Sequence, residues 1–168
     1  MTKDDSCSIF VAKKLKAKTM SYTNLMYHIV IRTYRRQKTI CEKHERELYA
    51  FMLEICNNRN VKVYRIGGMP EHIHLFVGLP STLDVARFVQ ALKSISSHWL
   101  KNNPHFPNFI RWSKEYAAFT YSLKEKARVV NYIRNQKAHH KGQSFEDEYR
   151  QFVTEHGVVI NEQYFLKD

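Results

Sequence analysis

The order in which hydrophobic periodicity changes along the chain is the tightest constraint on its fold. Residues 25–33 (LMYHIVIRT) are β-branched and aromatic, as a buried strand requires. Residues 42–58 place Leu48, Phe51, Met52 and Ile55 at helical spacing among charges, which predicts an amphipathic helix. Residues 61–66 alternate and end at Gly67-Gly68. A turn around Met69-Pro70-Glu71 then leads into residues 72–79 (HIHLFVGL), so the stretch reads as a β-hairpin. Pro80, Ser81 and Thr82 offer the cap of a helix over residues 83–101, stopped by Asn102-Asn103-Pro104. A loop over 104–115 precedes a strand over 116–121. Ser122 then caps a helix running to residue 140, Gly142 ends it, Ser144 caps a shorter helix, and residues 157–168 trail off.

Strand–helix–strand–strand–helix–strand is the order of the split βαβ, or ferredoxin-like, fold. This α+β class pairs an antiparallel sheet with two helices on one face, and here further C-terminal helices follow. The chain divides into a basic arm over 1–20, one folded domain over 21–155 and a tail over 156–168.

Charge narrows the partners. Lys and Arg number 27 against 16 acids, for a net charge of +11, which attracts polyanions, nucleic acid first among them. Cys7, Cys41 and Cys56 are odd in number and widely separated, which argues against a disulfide framework or thiolate zinc site and points to a reducing cytoplasm, beside the nucleoid. No apolar run reaches the ~18 residues of a membrane span.

The chemistry-bearing residues fall in two places. In His72-Ile73-His74 the imidazoles are two apart on a strand, so both project from one face while Ile73 takes the other. Such a pair is half of a metal site, or else two polar residues on a solvated face. Tyr132 and Gln136 are four apart in a helical stretch and share a face about one turn apart. An isolated tyrosine in that setting is ordinarily a packing residue, and its phenol is a poor nucleophile near its usual pKa.

Taken together, these stretches resemble the single-tyrosine HUH transposases of the IS-two-hundred/six-hundred-five group. The resemblance rests on SYTNLMYHIVIRT at 21–33, GGMPEHIHLFV at 67–77, LKSISSHWL at 92–100, WSKEYAAFTYS at 112–122 and NYIRNQKAHH at 131–140. It implies that Tyr132 is the nucleophile and that His72, His74 and Gln136 hold Mg2+ or Mn2+. It also implies a transposase that cuts and rejoins single-stranded DNA through a 5′-phosphotyrosine link and recognises hairpins at element ends. A homodimer with active sites completed between subunits is implied as well. Glu115 and Ala117 stand where the family usually has glycines, which puts the local backbone shape there in question.

Basic and aromatic residues suggest a DNA surface. Arg32, Arg35, Arg36 and Lys38 follow the first strand, and Arg87, Lys93, Ser96 and Ser97 lie on the second helix. Tyr34, Tyr64 and Trp112 are candidate stacking platforms, and His139 and His140 lie near the metal face by helix angle. Two rival readings are weaker. An RNA-recognition module lacks its aromatic sheet motif here, and a histidine-triad hydrolase needs a third histidine where Phe76 stands. A domesticated relative, or a non-catalytic nucleic-acid binder of the same fold, is the alternative.

Overall fold

A computed structural model describes residues 22–139, 142 and 144–168. The arm expected over 1–20, Cys7 within it, and His140 lie outside the described residues. Strands β1 (Leu25–Thr33), β2 (Lys62–Met69), β3 (His72–Leu79) and β4 (Trp112–Tyr121) form one antiparallel sheet in the order β2-β3-β1-β4. Helix α1 (Glu45–Asn57) joins β1 to β2 and α2 (Val85–Lys101) joins β3 to β4, so the ferredoxin-like expectation holds.

Strand alternation sorts the side chains. Ile29 and Ile31 of β1 and Ile73, Leu75 and Val77 of β3 pack with Leu48 and Met52 of α1 and Phe88 and Leu92 of α2 to make the main core. Residues of opposite parity, Met26, His28, Val30 and Arg32 on β1 and His72, His74 and Phe76 on β3, therefore line the other face. That face is covered too. Val129 and Ile133 of α3 (Lys126–Arg134) pack on Met26 and Phe76. Phe145 and Phe152 of α5 (Phe145–Glu155) pack on Val30 and Ala117. The histidine pair is thus roofed by helices rather than solvated.

Gly67 allows α3 to lie this close to β2. A Cβ there would meet Ile133 Cγ2 at 2.9 Å and the Ile133 carbonyl oxygen at 3.0 Å.

Several boundaries differ from the sequence expectation. Helix α2 is capped by Asp84, whose carboxylate accepts the Arg87 N–H at 2.8 Å, and not by the 80–82 segment. Strand β4 begins at Trp112, inside the expected loop, because Trp112 is buried and its Nε1–H donates to Ser96 Oγ at 2.9 Å. The backbone in question at Glu115 and Ala117 continues as strand, with Ala117 opposite Val30. Ser122 is the cap, as expected, and the structure adds a reciprocal capping box with Glu125. The helix that follows is not continuous to residue 140, however, because it breaks at Asn135 before a single turn, α4 (Gln136–His139).

Residues 157–168 add no helix or strand, but they pack against the domain. Leu166 is buried beside Phe145 and Phe152, and Asp168 accepts from Arg32 Nη1 at 3.0 Å and from the Arg35 N–H. Burial pushes the Asp168 carboxyl up, but the Arg35 N–H, the Arg32 guanidinium and the nearby Ser113 outweigh it and hold it below the usual range. The stabilisation this carboxylate contributes is complete above its unfolded pKa and lost as pH falls through the lowered one. Removing one partner of a buried pair strands the other, at a cost of about 3–5 kcal/mol. Arg32→Ala should therefore lower the melting temperature sharply and expose the C-terminal segment to proteolysis. Thermal melts and limited digestion check this, and an unchanged melt would assign the pair no structural role.

Among the described residues no helix is long and apolar enough to cross a membrane. Cys41 and Cys56 are free thiols.

Candidate active site and metal centre

The hairpin turn of Pro70-Glu71 fixes the register that pairs Met69 with His72 and Gly67 with His74. Both imidazoles emerge from β3 on the face roofed by α3 and α5, and each is at most 2% exposed. The His74 ring is held from behind. His28, one position diagonal on β1, places its Nε2 2.8 Å from His74 Nδ1, and Glu71 Oε1 stands 3.6 Å from His72 Nδ1. Burial, then the nearby His156, pushes the His28 pKa down to about 3, so its ring is neutral and can accept the His74 Nδ1 proton. With its proton on Nδ1, His74 would present its Nε2 lone pair to the site.

Both Nε2 atoms face one carboxylate. Glu148 on α5 has Oε2 3.8 Å from His72 Nε2 and Oε1 3.9 Å from His74 Nε2. Ligand atoms of the three buried residues all lie within 4.8 Å of one another. Tyr132 on α3 donates its phenol proton to Glu148 Oε1, and Gln136 Nε2 donates to the same oxygen at 2.8 Å. The Tyr132 ring meets His74 edge-on at 5.9 Å and His28 at 6.0 Å. Tyr132 and Gln136, expected on one continuous helix, come from two segments separated by the Asn135 break, yet they converge on a single atom. One chain suffices to bring the tyrosine beside its own histidines.

A donor set of two imidazole Nε2 atoms, a carboxylate and a carboxamide suits a divalent cation. The hydrogen bond behind His74 at Nδ1 is the arrangement that fixes imidazole ligands in metal sites. A second grouping, His44, Glu47 and His105, sits at the surface. There Glu47 accepts from both rings, at 2.7 and 2.9 Å, and these hydrogen bonds account for it.

The family model described as "Transposase IS200 like" matches residues 21–136. The chain belongs to this transposase family. A relative from Salmonella typhimurium strain LT2, the transposase of insertion sequence element IS200, is 29% identical over 127 residues, spanning 71% of this chain and 82% of the relative. The crystal structure of a candidate transposase from Deinococcus radiodurans R1 superposes with a TM-score of 0.53 at 26% identity, covering 72% of this chain and 96% of that one. A REP-associated tyrosine transposase bound to a REP hairpin shares the fold, with a TM-score of 0.56 at 15% identity over 73% of each chain.

In this transposase the phenol is held well above its ordinary pKa, chiefly by burial and then by the Glu148 charge and hydrogen bond. It is therefore a protonated donor here. A cavity of about 270 Å3 opens onto it, lined by His28, Tyr121, Arg128, Tyr132, Glu148 and Gln151.

The DNA-contact expectations divide. Arg32, Ser96 and Trp112 are buried and internally bonded, so none presents to DNA in this structure. Arg32 pairs with Asp168 and, at 3.2 Å, with Glu115, which puts the residue standing in place of the family glycine to use. Ser96 Oγ donates to Leu92 O at 2.6 Å and accepts from Trp112. Lys93 is half-buried, with Nζ donating to Lys114 O at 2.8 Å, and Ser97 is half-buried. Arg35, Arg36, Lys38 and Arg87 are exposed, although Arg36 bonds Glu146 at 2.7 Å. Tyr34 is faced by Arg111 at 3.8 Å and Tyr64 by Lys126 at 4.3 Å.

Sequence reasoning missed Glu148, Glu71 and His28. Glu148 had one readable signal. It lies three after Phe145 and four before Phe152, on the apolar stripe of its own helix, whereas Glu146 and Asp147 point outward.

Proposed function

We propose that this chain cleaves and rejoins single-stranded DNA, with Tyr132 as nucleophile, acting on strands that carry a hairpin at an element end. The observation that carries this reading is the convergence of Tyr132 and Gln136 with His72 and His74 in one buried pocket of an IS200-like fold. His72 and His74 would hold Mg2+ or Mn2+ through Nε2, and Gln136 through its carbonyl oxygen. Bound there, a divalent cation offsets the charge that builds on a phosphate under attack.

The steps belong to the chain's own groups. Tyr132 Oη attacks phosphorus and loses its proton, a phenol–phosphate ester forms, and the P–O3′ bond breaks. The 3′ oxygen departs and takes up a proton. The pocket holds Tyr132 through Glu148, which converts the attack into a positioned, near-unimolecular event. Because the ester retains the energy of the broken bond, a second 3′-hydroxyl can reverse the step and rejoin strands. The wider assembly proposed is a homodimer on its DNA, and the exposed Arg35, Arg36, Lys38 and Arg87 are the candidate backbone contacts.

The test compares one sequence in two forms. A labelled single strand able to form a hairpin should be cut, and the same sequence as full duplex should not. Equal cutting of both would remove the single-strand assignment. Binding of the single strand should fall steeply between ~50 and ~200 mM salt, as phosphate contacts release counterions.

A further inference from the structure

We propose that Glu148 supplies the negative charge of the metal centre, as a ligand alongside His72 and His74, and that the same carboxylate seats Tyr132. The proposal rests on the reading of the two histidines as metal ligands and adds an anionic one from a different helix.

The donors expected from sequence, two imidazoles and a carboxamide, are all neutral. A doubly charged ion buried among neutral donors keeps its full charge in a poorly solvating pocket, which is unfavourable without an anion beside it. Hard cations such as Mg2+ and Mn2+ also favour carboxylate oxygen. Glu148 is the acid positioned to answer both needs, since it is 7% exposed and its two oxygens face the two Nε2 atoms.

Distances support coordination over direct bonding. Separations of 3.8 and 3.9 Å exceed a hydrogen bond. They are shorter than the ~4.2 Å spanned by two metal–ligand bonds of ~2.1 Å, so one ion between the groups reaches both. The helix itself points the same way. Ser144 caps α5, Glu146 and Asp147 occupy its exposed first turn, and Glu148 alone of the three turns inward among Phe145 and Phe152.

The consequence is coupling. Glu148 Oε1 also accepts from Tyr132 and Gln136. Its place in the centre therefore ties α5, the tyrosine segment and the β3 histidines into one unit.

The experiment titrates Mn2+ into the full-length protein by calorimetry and records the melting temperature with and without the ion. Glu148→Gln is nearly isosteric and keeps an oxygen to accept from Tyr132. It should bind Mn2+ at least ~10-fold more weakly, since even outer-shell partners of a metal site cost that much. Its Mn2+-induced gain in melting temperature should shrink accordingly, a readout that survives a change in basal stability. Tyr132→Phe, which keeps the carboxylate, should bind Mn2+ within about twofold of wild type, well under the ~10-fold loss of a ligand partner. Glu148→Gln binding like wild type while His74→Ala loses the ion would overturn the Glu148 assignment and leave the histidine reading standing. Faster cleavage by Glu148→Gln would also overturn it, by making the carboxylate an obstruction. Absence of Mn2+ binding in the wild type would remove both readings.

Discussion

Alanine at His72 or His74 is expected to eliminate DNA cleavage at every manganese concentration tested, while single-strand binding persists. Both imidazoles are carried by one strand, and His28 holds the His74 ring at Nδ1. The centre is asked to supply several kcal/mol of charge stabilisation at the phosphate. Its loss translates to roughly 10^3-fold or more in rate. Gln136 differs in degree. A carboxamide is a weak, uncharged ligand, so Gln136→Ala should be impaired but partly recovered at high Mn2+ by mass action. Cleavage rate against Mn2+ concentration for the three variants decides the matter. A wild-type curve for Gln136→Ala would leave the segment contributing Tyr132 alone.

Tyr132→Phe should abolish both cleavage and covalent attachment, the second large effect. The substitution removes one oxygen and keeps the ring that lies edge-on to His28 and His74, so packing on α3 is retained. The protein should fold, bind single-stranded DNA within about threefold of wild type and form no adduct. Nucleophilic catalysis has no partial version when the attacking atom is gone.

The fold was legible because its elements announce themselves by period. Two-residue alternation at 61–79 and helical spacing around Leu48, Met52 and Ile55 gave the ferredoxin-like order directly. The histidine pair and the Tyr132–Gln136 spacing were legible for the same reason, as both are local. What escaped was what the tertiary structure brings together. His28 is one histidine in a buried strand, and only the diagonal across β1 and β3 makes it a partner of His74. Glu148 is one acid in an acid-rich turn until α5 folds down on the sheet. Arg32, read as a DNA contact, shares the parity of His28 and Val30 on β1 and would face outward if the sheet were open. The C-terminal segment closes over it, and its charge pairs internally with Asp168 and Glu115. Ser96 and Trp112 fail as surface residues because each is the other's hydrogen-bond partner in the core.

The measurement that bears most directly on Tyr132 as nucleophile is the site of covalent attachment. Wild-type protein incubated with Mn2+ and a hairpin-bearing single strand should yield an adduct that survives denaturation. Peptide mass spectrometry should place the nucleotide on Tyr132, and Tyr132→Phe should give no adduct. A nucleotide found on another residue, such as Tyr121 across the cavity, or an adduct persisting in Tyr132→Phe, would contradict the assignment.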